Sequence, residues 1–211
     1  MFVITADQVG SRRGRDQASE LIGRLEAAAG DRLLLPPDQT AGDEIQAITD
    51  SADSALALTL EATRDGHWSV GLGIGDVRMP LPDAVRKASG PAFIAARDAV
   101  DAAKRAEGRI ALRSGHAATA ARAEHVEALL RLLVLLRHRR TQPGWEVVDL
   151  ARAGRPQKEI ATLLDITPAA VSARLKAALW RAEDAAVPAI AALLADLDAA
   201  SVETSEDASS T

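Results

Sequence analysis

Asp7 ends the short apolar run Phe2–Ala6, and Asp43-Glu44 follow Gly42 in the stretch QTAGDEIQAI. If the first and third strands of a sheet pair, Asp7 and Asp43 come together at neighbouring strand ends. Two carboxylates placed in this way can hold Mg²⁺, and Mg²⁺ favours triphosphate oxygens. Val9, Gly10 and Ser11 follow Asp7 with only Gln8 between, where backbone N–H groups at a helix start can cradle phosphate. Arg12, Arg13 and Arg97 can add positive charge. Capping is the plainer alternative, because each acid precedes a turn or a helix start.

A second constellation runs from Gln157 to Lys176, QKEIATLLDITPAAVSARLK. Ile160, Ala161 and Leu164 form the inner face of one helix. Asp165-Ile166 make a turn, with Ile166 as an apolar plug. Thr167 is a good N-cap, and Pro168 suits the first helical position, where no donor is needed. Val171 and Leu175 then face inward. This is the spacing of a helix-turn-helix. Its second helix presents Pro168, Ala169, Ser172, Ala173 and Lys176, and side chains this small let a helix enter the major groove. Ser172 can bond a base edge or a phosphate, and Ala169 or Ala173 can meet a thymine methyl. Arg174, Lys176, Lys158 and the start of the first helix, at Gln157, are expected on phosphates. The plainer alternative is a helical hairpin with a solvated basic face.

Other chemistries find little support. There are no cysteines, so thiolate metal sites and thiol nucleophiles are excluded, and a reducing cytoplasm suits the chain. His67, His116, His125 and His138 lack zinc-ligand spacing. Gly71, Gly73 and Gly75 lie inside a strand pattern and do not form a dinucleotide fingerprint. No apolar run approaches the ~20 residues of a membrane helix. The net charge of −5 is uneven: Glu183–Thr211 holds seven acids and no Lys or Arg, which leaves residues 1–182 at +2. A nucleic-acid partner is therefore compatible with the body of the chain.

These residues need elements to position them. The first hundred residues alternate strand and helix signals: strand 2–6, helix 14–29, strand 33–35 stopped by Pro36-Pro37, strand 44–49, helix 52–64, strand 67–77, helix 92–105 and strand 109–113. The order β-α-β-β-α-β, then an extra helix and strand, fits a split βαβ, ferredoxin-like sheet with helices on one face. Trp68, Val70, Leu72 and Ile74 share the face that should meet the helices. Ser69, Gly71 and Gly73 leave the other face bare for a ligand, a second subunit or the extra helix, unless the glycines only relieve a bend. Residues 117–140 read as a long helix with a broad stripe (Val126, Leu129, Leu130, Leu133, Leu136, with Leu132 and Leu135), buried between domains or subunits. It ends in Arg137-His138-Arg139-Arg140, read either as cations at a helix C-terminus or as a phosphate-contacting cluster. Gln142-Pro143-Gly144 marks a boundary. The second helix of the helix-turn-helix is expected to run on through Leu179 and Trp180. Val187, Ile190, Leu194 and Leu197 suggest a further amphipathic helix that could pair two subunits.

The N-terminal pieces also carry a resemblance. ADQVGS looks like the ADIVGF stretch of class III nucleotidyl cyclases, TAGDEIQAI is similar to their IGDxxMA hairpin, and GLGIGDV with GPAFIAAR looks like their GIHxGxV and VNxAAR segments. The chain resembles the SatD family more closely, whose members carry these segments in the same order and often end in a helix-turn-helix. The resemblance covers residues 2–105, and QKEIA with VSARL fits the same family. It implies that Asp7 and Asp43 stand where cyclases have metal aspartates, and Arg97 where they have a phosphate-steadying arginine. Phe93 replaces the ribose-orienting asparagine and Gln39 the base-reading lysine. These departures count against cyclase turnover and leave nucleotide binding open.

The expected fold is α+β. A ferredoxin-like, cyclase-like βαββαβ domain covers 1–114, a connecting or dimerisation helix 115–141, a helix-turn-helix domain 142–182, an amphipathic helix 183–200 and a disordered acidic tail 201–211. The expected function is a cytoplasmic, homodimeric regulator that binds double-stranded DNA through Gln157, Lys158, Thr167, Pro168, Ala169, Ser172, Ala173, Arg174 and Lys176. A small nucleotide, with or without Mg²⁺, is the ligand expected at Asp7, Gly10, Ser11, Arg12, Asp43 and Arg97, with Asp7 and Asp43 as the metal ligands. The alternative is a Mg²⁺-dependent, nucleotide-processing enzyme with a helical adaptor.

Overall fold

The computed structural model describes residues 1–10, 17–40 and 42–209, with side chains as far as Ser201. Ser11, Arg12 and Arg13 lie outside the described residues. The chain is α+β. Five strands, β1 (Phe2–Gln8), β2 (Leu33–Gln39), β3 (Glu44–Thr49), β4 (Trp68–Ile74) and β5 (Ile110–Ser114), form one mixed sheet in the order β2-β3-β1-β4-β5. All neighbours are antiparallel except β4 and β5. The helices are α1 (Ala18–Ala29), α2 (Ala52–Ala62), α3 (Pro91–Ala103), α4 (Ala120–His138), α5 (Gln142–Arg152), α6 (Gln157–Leu163), α7 (Pro168–Ala177) and α8 (Trp180–Ser209).

Strand alternation decides what each face buries. Phe2, Ile4, Trp68, Val70, Leu72 and Ile74 point to one side, into a core shared with Leu21 and Leu25 of α1, Leu58 of α2, Leu130 of α4 and Leu194 of α8. On the other side β4 shows Ser69, Gly71 and Gly73, and α3 lies directly on it. A Cβ built on Gly71 would stand 2.3 Å from the Val100 nitrogen, and one on Gly73 would stand 2.2 Å from the Ala92 oxygen. The expectation of helices on one face is therefore corrected. The sheet is covered on both faces, because two missing side chains and an alanine-rich helix let backbones approach closely.

Pro36 and Pro37 do not stop β2, which runs on to Gln39. As the outermost strand, β2 can lack donors on its open side. Its register with β3 shifts twice, between Leu33 and Leu35 and between Leu35 and Asp38. Helix α2 is capped by Ser51, whose hydroxyl accepts from the Ser54 N–H at 3.3 Å.

A second apolar cluster joins α5, α6 and α7: Trp145, Val148, Ile160, Val171 and Leu175 are buried together. Leu179 has a φ of +53° and breaks the chain between α7 and α8, so α7 does not run on through Trp180. The break lets Trp180 turn back against this cluster. Helix α8 is continuous from Trp180 to Ser209, across Pro188. Residues 201–209 are thus helical, where a disordered tail was expected; extending a helix that is already nucleated adds one bond per residue fixed. Ile190, Leu194 and Leu197 are buried in the N-terminal core, with Val187 packed against it. That stripe is satisfied within the chain and does not pair subunits. Among the described residues, no helix is long and apolar enough to cross a membrane.

Candidate functional site

The turn between α6 and α7 is built from short-range chemistry. Asp165 adopts a φ of +51°, a left-handed conformation that Asp tolerates better than most residues. The Ile166 N–H then donates to the Ala161 carbonyl at 3.0 Å, and Ile166 packs on the helical cluster. The Thr167 hydroxyl accepts from the Ala170 N–H at 3.1 Å, capping α7, and Pro168 occupies its first turn. Val171 and Leu175 are buried, which fixes the rotation of α7.

That rotation turns Thr167, Pro168, Ala169, Ser172, Ala173 and Lys176 to the outside, and Gln157 and Lys158 are exposed as well. Ser172 and Lys176 border a cleft of about 830 Å³, with Arg155 and Gln157 at the start of α6 and Arg181 on α8. Between Ala153 and Ala182 the chain carries five cations and two acids. Arg174 departs from its expected place. It is half-buried and lies 3.8 Å from Glu146 of α5, away from the outer face.

The carboxylate site differs more. In the antiparallel register of β1 and β3 the residue opposite Asp7 is Glu44, with Ser69 on its other side. Asp43 lies one residue further, at the bend, and meets β1 through its carbonyl, which accepts from the Gln8 N–H at 3.3 Å. Both paired acids already hold a cation, Arg97 within α3 and Lys104 at its C-terminal end. Lys104 Nζ is 3.0 Å from Asp7, and Arg97 is 2.9 Å from Glu44. Burial pushes the Glu44 carboxyl above the usual carboxylate range, against the pull of Arg97 and a hydrogen bond from Thr40. Burial would lower Lys104, but its bonds to Asp7 and Asp101 outweigh this and raise it. The Val9 N–H donates to the His67 carbonyl at 2.8 Å, so it is not open to a phosphate; Gly10 is exposed in the turn, with a φ of +71°. Among the described residues, no group of three or more His, Asp or Glu side chains is placed to hold a metal ion. Arg97 also borders a cleft of about 980 Å³ with Arg78, Arg86 and Phe93.

Sequence reasoning missed a third cluster. Glu183, read as one of the terminal acids, is buried and paired with Arg137, Arg140 and Arg152. Arg64, Arg137 and Arg140 stack on the Trp145 ring at 4.3, 4.9 and 4.8 Å from its centroid. The phosphate-contacting reading of the Arg137–Arg140 run is corrected for both end residues. His138 bonds the Thr63 carbonyl at 2.6 Å, and Arg139 stays exposed. Four arginines between positions 137 and 152, around Trp145 and with only Glu146 and Asp149 as acids among them, were the available signal.

No family model, curated protein or solved structure matches this chain.

Proposed function

We propose that this protein is a DNA-binding regulator that reads duplex DNA with α7 as the second helix of a helix-turn-helix and works as a homodimer in the cytoplasm. One observation carries this reading: α7 is capped, anchored by Val171 and Leu175, and free along an outer face of small side chains ending in Lys176. A helix with that profile fits the major groove, and cations from α6 and α8 flank it as phosphate contacts. Four of the five strands follow the order and antiparallel pairing of a ferredoxin-type sheet, which supports the reading of residues 1–114 as cyclase-like and of the chain as SatD-like. The test is selection from a random duplex pool. A palindromic consensus is expected, and Ser172→Glu should abolish it with the fold unchanged. Sequence-blind or unsaturable binding would overturn the reading.

The sheet domain then senses a ligand. Its carboxylates do not fit Mg²⁺ as they stand, since Lys104 and Arg97 already neutralise them and, among the described residues, no third acid joins the pair. The enzyme reading loses its metal-holding geometry on that ground. In the cleft lined by Arg78, Arg86, Phe93 and Arg97, Arg86 is held by Asp38 and Arg97 by Glu44, so Arg78 beside Phe93 is the cation that favours an anionic ligand with a flat apolar part, which includes nucleotides. A rise in thermal stability with a nucleoside triphosphate, lost in Arg78→Ala, is the expected result.

A further inference from the structure

Helix α4 buries Val126, Leu130 and Leu133 in the core and leaves another face uncovered. Along that face, Arg122, His125, Leu129, Leu132 and Leu136, with Arg139 just beyond the helix, follow one another at intervals of three and four residues. All are exposed or half-exposed. Alternating steps of three and four are the spacing with which two helices pack knobs into holes, and the strip is about 25 Å long at 1.5 Å per residue. Its centre is apolar: Leu129 is 46% and Leu132 65% exposed. Two further exposed leucines extend it, Leu193 of α8 beside Leu129 and Leu179 beside Leu132. Four of the eight large apolar side chains left exposed among the described residues therefore lie on this strip.

We infer that this strip is the surface on which a second copy of the chain docks, with the two α4 helices antiparallel. The inference rests on the reading of the protein as a symmetric pair. The exposed leucines match their own reverse, Leu129 with Leu193 against Leu132 with Leu179, and the charges favour the antiparallel direction. Asp196 borders the Arg122 end of the strip, and the Arg139 end is flanked by Lys176. Reversing the strip about its centre lays Leu129 of each copy on Leu132 of the other and sets Arg139 opposite Arg122, with Asp196 beside the two to offset their charge. This is a self-complementary, isologous contact. A parallel pairing would instead set Arg139 against Arg139 and Lys176 against Lys176. Because Ala173, Lys176 and Ala177 of α7 border the same groove, the contact would also fix the distance between the two α7 helices.

Light scattering on the full chain tests the surface. The wild type is expected to be a dimer across the micromolar range, and Leu129→Lys with Leu132→Lys a monomer with unchanged circular dichroism, since both side chains are exposed. The chain has no cysteine, so direction can be read by cross-linking. Leu129→Cys mixed with Leu132→Cys should oxidise to a dimer faster than either alone, because antiparallel pairing places these positions opposite each other. A monomeric wild type, a wild type that pairs only with a helix of a different protein, a dimer that survives the double lysine variant, or faster self-cross-linking would each overturn the proposal. The DNA reading fails separately. A dimer that selects no sequence overturns that reading alone, and a monomer that selects one overturns the surface alone.

Discussion

Arg137 of α4 and Glu183 of α8 lie 46 residues apart and form an ion pair whose side chains are 3% and 2% exposed. Arg140 and Arg152 share the same carboxylate, and the Arg137 guanidinium also donates to the Leu60 carbonyl of α2 at 3.0 Å. Burial alone would push Glu183 up; the arginines around it bring it below the usual range. Burial lowers Arg137 to about 10. Glu183→Gln leaves buried cations without their counter-charge and should lose roughly 3–5 kcal/mol of stability in urea denaturation. A carboxyl with a depressed folded pKa stabilises above its unfolded value, near 4.5, and that contribution fades as pH falls through the folded value. The deficit of the variant should therefore shrink in acid.

Gly71→Ala tests the approach of α3 to β4. The new methyl would meet the backbone of Ala96 and Val100, which cannot step aside as a flexible side chain can. A loss of about 3 kcal/mol is expected from overpacking, measured as a drop in unfolding midpoint. Gly23→Ala, where nothing lies within 4 Å, should not lower the midpoint.

On the outer face of α7, Lys176 and Arg174 should separate in DNA binding. Lys176→Ala should weaken binding to all sequences and flatten the salt dependence by about one unit of slope. Arg174→Ala should change the slope little, because that side chain lies against Glu146. Binding titrations at several salt concentrations check both.

Glu44→Gln should not destabilise the chain at neutral pH, despite the loss of the Arg97 ion pair. The folded pKa of Glu44 is raised by burial, so the folded state binds its proton more readily than the unfolded one. Ionisation therefore weakens the fold as pH rises from 4.5 through the folded value. The variant should melt at or above the wild-type temperature at pH 7, and this advantage should vanish below pH 4.5. A clear loss at pH 7 would assign the Arg97 contact more weight than the burial of Glu44.

Thr167→Ala removes the hydroxyl that accepts from Ala170. A loss of about 1 kcal/mol is expected, read in chemical denaturation, since Thr167 is exposed and makes no core contact that would add to it.

What the sequence shows of this molecule follows the range of its interactions. The turn at Asp165–Thr167 and the inward pair Val171 and Leu175 are set by neighbours within ten residues, so spacing alone places them. The strands of the sheet are legible for the same reason, through alternation in Trp68–Ile74. The partner of Asp7 is not: choosing Glu44 over Asp43 depends on a one-residue register between distant strands, and register follows from packing the whole face. Glu183 is the extreme case. Its three arginines come from α4, the link after it and α5, and only the folding-back of α8 onto α2 and α4 brings them together. The glycines of β4 signalled close approach, and the approaching helix proved to be α3 of the same chain.

Helices α4 and α8 both sink into the N-terminal core, and the three-helix unit hangs between them like a handle fixed at both ends. With the Arg137–Glu183 rivet at its base, such a handle does not swing by itself. A tilt of α4 and α8 together carries α7 with it, so under the function proposed above the body that would recognise a ligand and the helix that would meet DNA turn as one piece.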